Sequence, residues 1–152
     1  MRIVTDSATD TGLLHDSDTN ANITIVPLRV NLGETSFKDG IDITPDEFYV
    51  ELEKRDVLPV TSQPSAGEFA KLYREIAKED KDILSIHMSS GLSGTVNSAL
   101  AAVKMVPEAN ITIVDTKTLS ASAGWQVWAA VKGLKLGWSK EKILAKFKEV
   151  AA

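Results

Sequence analysis

Short apolar stretches alternate along this chain with segments of helical apolar periodicity. Asp82–His87 and Ile111–Asp115 are largely aliphatic runs of the length of buried strands. After a polar loop, each is followed by a segment whose apolar residues recur every three or four positions. Because strands that alternate with helices build parallel sheets covered by helices, the pattern predicts an α/β fold. We expect a mostly parallel sheet flanked by helices, in a three-layer α/β/α arrangement.

The first forty residues add further extended segments. Ile3-Val4 is a short opening strand that meets the polar cluster Thr5-Asp6-Ser7. The stretch from Ile23 to Leu32 is β-branched and partly alternating, and it stops at Gly33, which predicts one strand. A short extended piece is expected from Thr35 to Gly40.

Two of the predicted helices begin with a capping box, in which a hydroxyl residue is followed three positions later by Glu. These boxes start at Thr44 and Ser65, and Pro45 adds a residue that favours the first helical position. No linker rich in Pro, Gly or Ser interrupts the chain, so we predict a single domain over residues 1–152. Helices are expected from Thr44 to about Arg55, from Ser65 through Ile76, from Val96 to Val106, from about Ser120 to Gly137, and from Ser139 onward.

Composition and charge argue against several classes of protein. The 152 residues include 17 Lys and Arg against 21 Asp and Glu, without a basic run, so nucleic acid is not an expected partner. With no cysteine and only two histidines, neither a disulfide nor a metal site is expected. The N-terminus turns acidic after two apolar residues, and no apolar run approaches the roughly 18 residues of a membrane span. We therefore expect a soluble, cytoplasmic protein.

The loop Ser89–Thr95 has the composition of an anion site. It leaves a predicted strand after His87 and leads into a helix, whose first N–H groups and dipole favour an anion. Its two glycines allow a ligand to approach the backbone closely. Ser93 lies at or next to the helix start. The alternative is that the serines at 89, 90 and 93 only cap the helix, and the loop by itself leaves both open.

A second hydroxyl-rich segment is Thr61-Ser62-Gln63-Pro64-Ser65. Ser65 already supplies the helix cap, so Thr61 and Ser62 are additional hydroxyls and favour a role in ligand binding. Neither this segment nor the loop after His87 contains an obvious base. Such an inventory suits the hydrogen bonding of an anion better than its chemical transformation.

Four titratable residues have structural explanations. Asp6 and Asp115 stand at strand ends, where a carboxylate most often organises the loop, although a catalytic or metal-binding role stays open. His87 lies within an apolar strand and is expected to be a hydrogen-bonded core residue. His15 lies in a polar stretch and is expected to be solvated.

Six segments together resemble the DegV family, in the family's order and spacing. They span the chain from Arg2 to about Gly137. DegV proteins usually run to about twice this length, so the resemblance implies a DegV N-terminal α/β domain without the family's C-terminal lipid-binding domain. The segments are Thr5–Asp10, Pro27-Leu28, Asp39–Ile43 before Phe48, Thr61–Ser65, Ser89–Thr95, and Asp115-Thr116 followed by Ser120–Gly124.

The resemblance implies a carrier of a long-chain fatty acid such as palmitate, with no cofactor and no catalytic residue. In the family the carboxylate is held by residues that match Thr61 and Ser93 here, and the Gly94 amide is an expected third donor. Members that serve bacterial fatty acid kinase present the carboxylate to that separate enzyme. Without the second domain, exposed apolar surface would favour self-association.

Two other functions remain as alternatives. A serine hydrolase would use Ser93, but Gly91–Thr95 lacks the second glycine of the G-x-S-x-G elbow. No histidine follows Ser93, so the base would have to be His87 or His15, in the wrong chain order. A small-anion or phosphate binder would use the same helix start, but the chain lacks a P-loop lysine and a G-x-G-x-x-G turn.

Overall fold

The structure is a computed structural model that describes residues 1–11 and 23–150; His15 lies outside them. A short 3-10 helix, Ser7–Thr9, follows the first strand. The strands are β1 (Arg2–Asp6), β2 (Ile23–Val26), β3 (Arg29–Leu32), β4 (Thr35–Lys38), β5 (Val60–Ser62), β6 (Asp82–His87) and β7 (Asn110–Asp115). The helices are α1 (Pro45–Glu53), α2 (Ala66–Ala77), α3 (Thr95–Val103), α4 (Ser120–Lys135) and α5 (Lys140–Val150).

The main sheet has four parallel strands in the order β2-β1-β6-β7. Side chains alternate between its faces along each strand. Val4 and Ile83 pack with α2 and α3 on one face. Ile3 and Leu84 pack with α4 and α5 on the other. The predicted three-layer α/β/α arrangement with a parallel sheet is therefore confirmed.

Large buried side chains fill both layers of the core. Phe69 and Tyr73 of α2 are fully buried beneath one face of the sheet, and Val127 of α4 and Ile143 of α5 beneath the other. Burying one such side chain contributes about 1.5–3 kcal/mol. The two layers fix the strands between them, so the loops at the strand ends start from rigid positions.

The predicted single strand from Ile23 to Leu32 is wrong, because the chain leaves the main sheet at Pro27. Proline lacks an N–H for the ladder and fixes its own φ. The next amide, that of Leu28, donates to the Ser7 hydroxyl at 3.0 Å. β3 then becomes the centre of a second, antiparallel sheet with the order β4-β3-β5.

The second sheet holds an element that the sequence did not indicate. β3 and β4 form a hairpin at Gly33, whose φ of +64° is favourable only for glycine. β5 pairs with the other edge of β3 and places Thr61 opposite Val30. Thr61 is thus a strand residue, although the sequence analysis placed it only in the segment before the helix that begins at Ser65.

Both predicted capping boxes are confirmed. The Thr44 hydroxyl accepts from the Glu47 amide at 3.3 Å, and the Glu47 carboxylate accepts from the Thr44 amide at 2.8 Å. Ser65 and Glu68 repeat the arrangement at 3.2 and 2.9 Å. The hydrogen bond from the Thr44 amide lowers the pKa of Glu47. These caps fix where α1 and α2 begin.

Gly124 of α4 lies against the backbone of the loop after β1. A Cβ added there would be 2.6 Å from the Thr9 carbonyl oxygen and 2.8 Å from that of Asp10. Asp10 itself has a φ of +37°, so this stretch of backbone already holds an uncommon conformation. The absence of a side chain at 124 lets the helix and the loop touch.

Gly124→Ala should lower the free energy of unfolding by about 1–3 kcal/mol, because backbone must move to admit the methyl group. Urea denaturation measures this. Gly67→Ala in α2 is the matched control, since a Cβ there would meet nothing nearer than the Ser65 hydroxyl at 3.9 Å. The control should be neutral or more stable by up to about 1 kcal/mol. Equal responses of the two variants would contradict the close-approach explanation.

Candidate functional site

The loop after β6 is a compact turn wound around Ser89. The Ser89 carbonyl accepts from the amides of Leu92 at 3.0 Å and Ser93 at 3.1 Å. Its hydroxyl accepts from the Gly91 amide at 3.2 Å. Ser89 is itself buried. These bonds define the path of the loop that delivers Ser93 to the start of α3.

The same loop is bonded to the loop that follows β7. The Ser89 amide donates to the Thr118 carbonyl at 2.9 Å. The Ser90 amide donates to the Asp115 carboxylate at 3.2 Å, and Lys117 Nζ donates to the Ser90 hydroxyl at 3.2 Å. Asp115 therefore organises the loops, as the sequence indicated.

The start of α3 is only partly capped by side chains. Its N-cap residue is Gly94, and no side chain bonds to the first turn from that position. The Ser93 hydroxyl accepts from the Thr95 amide at 3.2 Å and lies 2.9 Å from the Thr95 hydroxyl. The amides of Val96 and Asn97 have no side-chain acceptor among the described residues. Helix capping by the serines of this loop can therefore explain at most the position of Ser93.

Thr61 lies on the second sheet with its side chain exposed. It borders a pocket of about 310 Å³, a volume near the lower end of the range for small-molecule sites. Its walls come from the second sheet, the turn before α1, and α1 itself. Apolar walls are supplied by Val30, Ile43, Pro45, Phe48, Tyr49 and Pro59.

The two hydroxyl-rich segments meet through Gln63 and Gly94. A Cβ on Gly94 would be 2.7 Å from Gln63 Nε2 and 3.1 Å from Gln63 Cδ. The glutamine side chain thus lies against the glycine that begins α3. This contact brings the segment that carries Thr61 to the loop that carries Ser93. A shared site for Thr61 and Ser93 stays a prediction.

A chain of buried polar side chains runs beneath the loop. The Asp6 carboxylate lies 3.0 Å from His87 Nδ1, and His87 Nε2 lies 2.7 Å from the Ser85 hydroxyl. That hydroxyl lies 2.8 Å from the Tyr73 hydroxyl. All four residues are essentially inaccessible to solvent. The prediction that His87 is a hydrogen-bonded core residue is confirmed, and Asp6 organises its loop as expected.

In the sequence analysis, Tyr73 belongs only to the predicted helix from Ser65 through Ile76, and Ser85 only to the predicted strand Asp82–His87. One signal was present, because Ser85 and His87 are two residues apart in a strand and so share a face. Two polar residues on one face of a buried strand indicate a polar partner opposite. The partner, Tyr73, comes from α2 and was not identifiable without the packing.

The geometry argues against the hydrolase alternative. The ring nitrogens of His87 are occupied by Asp6 and Ser85, and the ring is fully buried. It therefore offers no base to Ser93. His15, the other histidine, lies outside the described residues.

Among residues 1–11 and 23–150, the structure contains no group of three or more carboxylate or imidazole side chains that could hold a metal ion. Within the same ranges, no helix is both long and apolar enough to cross a membrane.

Apolar side chains are exposed at both segments and on α4. Leu58 lies just before β5 and Val60 is its first residue, and they are 88% and 62% exposed. Leu92 is 65% exposed within the Ser93 loop, and Trp125 of α4 is 56% exposed. The self-association expected from exposed apolar side chains stays a prediction.

The fold and the site together define an α/β domain in which two hydroxyl-rich segments meet at Gln63 and Gly94, and one of them borders an apolar pocket at Thr61. The model of the family described as "Uncharacterised protein, DegV family" matches residues 1–152. A DegV domain-containing protein of Staphylococcus aureus strain N315 is 42% identical over 144 residues, which make up 95% of this chain and 50% of that protein. The chain belongs to the DegV family.

Two solved structures are similar over nearly the whole chain. DegV of Bacillus subtilis, described as a fatty acid binding protein, has a TM-score of 0.90 and 33% identity, covering 99% of this chain and 53% of that one. A fatty-acid-binding DegV family protein of Thermus thermophilus has a TM-score of 0.85 and 38% identity, covering 99% and 54%. The chain thus spans about half the length of each of these three relatives.

The pKa of Asp115 provides a test of the loop anchor. Burial raises this pKa, but hydrogen bonds from Lys117 and Ser90 outweigh it and hold the pKa at about 2, below the ordinary 3.8. Because the pKa is lower in the folded state, the stabilisation is present above pH 3.8 and is lost as the pH falls through about 2.

Asp115→Asn should therefore lose about 1–2 kcal/mol of stability at pH 6 relative to the wild type, and the difference should shrink toward pH 2. Urea denaturation of both proteins across this range measures it. Gly67→Ala, which leaves every carboxylate in place, is the control, and its difference from the wild type should not change with pH. For Asp115→Asn, a difference that stayed constant with pH would contradict the assignment of Asp115 as the anchor.

Proposed function

We propose that this chain binds a long-chain fatty acid such as palmitate and holds its carboxylate with the hydroxyls of Thr61 and Ser93 and the amide of Gly94. The observation that supports this most is the contact of Gln63 with Gly94, which joins the two hydroxyl-rich segments at a helix start whose N-cap residue provides no side-chain acceptor. Fatty acid binding by the relatives of known structure supports the choice of ligand.

Neutral donors at a helix start suit a carboxylate. Hydrogen bonds to a charged group contribute about 1.5–3 kcal/mol each, and the helix dipole adds a further favourable term. No basic side chain is needed for such a site. Lys117, which lies near the loop, is engaged with Asp115 and Ser90.

The acyl chain would supply most of the affinity. Each buried methylene contributes about 0.8 kcal/mol, so a dozen would give roughly 10 kcal/mol before costs. The apolar pocket beside Thr61 and the exposed side chains near both segments are the surfaces this chain offers. A second domain, present in longer family members, would enclose the rest of the acyl chain.

We propose further that the protein acts in the cytoplasm as a carrier and not as an enzyme, and that it presents the carboxylate to a fatty acid kinase. Ser93 lies in a loop whose neighbours Gly91 and Leu92 are exposed, so a headgroup held there would remain reachable by a second protein. In the absence of a covering domain, the apolar side chains Leu58, Val60 and Leu92 would favour self-association. Sedimentation velocity with and without palmitate would reveal it.

Thr61→Ala and Ser93→Ala should each weaken palmitate binding by about 10- to 150-fold, because each removes one hydrogen bond to the carboxylate. Isothermal titration calorimetry measures the affinity, and native mass spectrometry detects fatty acid that co-purifies. Ser62→Ala is the matched control for Thr61, since neighbouring residues of a strand point to opposite faces. Ser62→Ala should bind as the wild type does.

If neither palmitate nor oleate binds, even with the C-terminal half of a DegV relative supplied as a separate chain, the lipid proposal is wrong. Binding of inorganic phosphate at the same residues would then favour the small-anion alternative. Esterase activity abolished by Ser93→Ala would favour the hydrolase.

A further inference from the structure

We infer that Asp6 and His87 form a positioning pair for the proposed carboxylate site, with Asp6 accepting from His87 and from the loop backbone at the same oxygen. The inference rests on the proposed function, but it concerns residues that do not touch the ligand. Its basis is the geometry at the carboxyl ends of β1 and β6.

The carboxylate of Asp6 fixes the beginning of both loops at this end of the sheet. Its Oδ1 accepts from the Ala8 amide at 3.1 Å, which starts the 3-10 helix after β1. Its Oδ2 accepts from the Met88 amide at 3.0 Å, and Met88 is the first residue after β6. His87 Nδ1 lies 3.0 Å from the same Oδ2. One buried carboxylate thus sets the direction in which the chain enters the Ser93 loop.

The hydrogen-bond pattern requires a particular tautomer of His87. Asp6 Oδ2 can only accept, so Nδ1 carries the proton and donates. In the neutral ring Nε2 then accepts from the Ser85 hydroxyl, and Ser85 accepts from the Tyr73 hydroxyl. Burial raises the pKa of Tyr73, which keeps its hydroxyl protonated as the donor at the end of the chain. Every group in the series is satisfied in this arrangement.

The pair also connects the two segments proposed to hold the ligand. His87 leads directly into the loop of Ser93, and its ring packs edge-on against Phe69 of α2 at 5.1 Å between centroids. Tyr73, at the far end of the polar chain, belongs to the same helix. That helix begins immediately after the segment of Thr61. A change in His87 is therefore transmitted to both sides of the site.

The series Asp6, His87, Ser85 has the residue types of a catalytic triad, but the geometry excludes that function. Ser85 is fully buried in the middle of a strand and is bonded to Tyr73. A substrate has no access to its hydroxyl. These hydrogen-bonded side chains act on the loop through Asp6, and none of them is a reacting group.

Two substitutions at His87 separate positioning from the filling of space. In His87→Asn, the side-chain N–H lies near the position of Nδ1 and can still donate to Asp6. In His87→Gln, the longer side chain places its amide near the position of Nε2, and the bond to Asp6 is lost. Ser85→Ala is the matched control, because it removes the partner of Nε2 and leaves the Asp6 contact intact. Near-ultraviolet circular dichroism confirms that each variant is folded.

The first measurement needs no ligand. Amide hydrogen exchange from Met88 to Gly94, followed by NMR, should be about tenfold or more faster in His87→Gln than in Ser85→Ala, with His87→Asn near the control. The second is the affinity for carboxyl-¹³C palmitate together with its carboxyl chemical shift. His87→Gln should bind about tenfold or more weakly with a shifted resonance, and His87→Asn should restore the wild-type shift.

Equal exchange and equal binding in His87→Gln and Ser85→Ala would overturn the inference, since His87 would then only fill space. A wild-type protein that binds no palmitate would remove the proposed function, while the exchange comparison would still decide the positioning role. Imidazole ¹⁵N spectra of the wild type test the pair without any variant. A proton on Nε2 and none on Nδ1 would also overturn it.

Discussion

The hydrogen bond between Asp6 and His87 is the constraint on which the functional end of this molecule depends. A buried carboxylate is costly unless donors surround it, and here the side chain of His87 and the amides of Ala8 and Met88 supply them. Those donors come together only if β1 and β6 are neighbours and parallel. The requirement to satisfy one carboxylate therefore fixes strand order, ring orientation and the start of two loops at the same time.

The loops that begin there present neutral groups, while charged side chains hold them in place. Serine and threonine hydroxyls and the amides of a helix start donate hydrogen bonds without carrying charge. The acidic groups nearby are already engaged, with Asp6 buried and Asp115 bonded to Ser90 and Lys117. At the proposed site, this inventory would attract an anion through dipoles, and it includes no obvious base.

The sequence predicted correctly the features that depend on residues close together in the chain. The capping boxes at Thr44 and Ser65 depend on residues three positions apart, and the structure contains both. The break at Pro27 was missed because the β-branched residues on both sides of this proline predicted one continuous strand. The second sheet was missed because it depends on the pairing of β3 with β5, between residues such as Val30 and Thr61 that lie far apart in the chain. For the same reason the sequence identified two hydroxyl-rich segments but not the contact of Gln63 with Gly94, which no periodicity encodes.

The energetics of the proposed ligand explain why the head site and the apolar surfaces belong together. Three hydrogen bonds of about 1.5–3 kcal/mol each roughly match the about 4–15 kcal/mol that association costs in lost freedom, so a carboxylate alone would bind weakly. Affinity must come from burying the chain, at about 0.8 kcal/mol per methylene. The exposed side chains around Thr61 and Ser93 can bury one side of that chain. In the proposed complex, full affinity would then require a second surface opposite them, whereas the position of the headgroup would be set by Thr61, Ser93 and Gly94 of this chain.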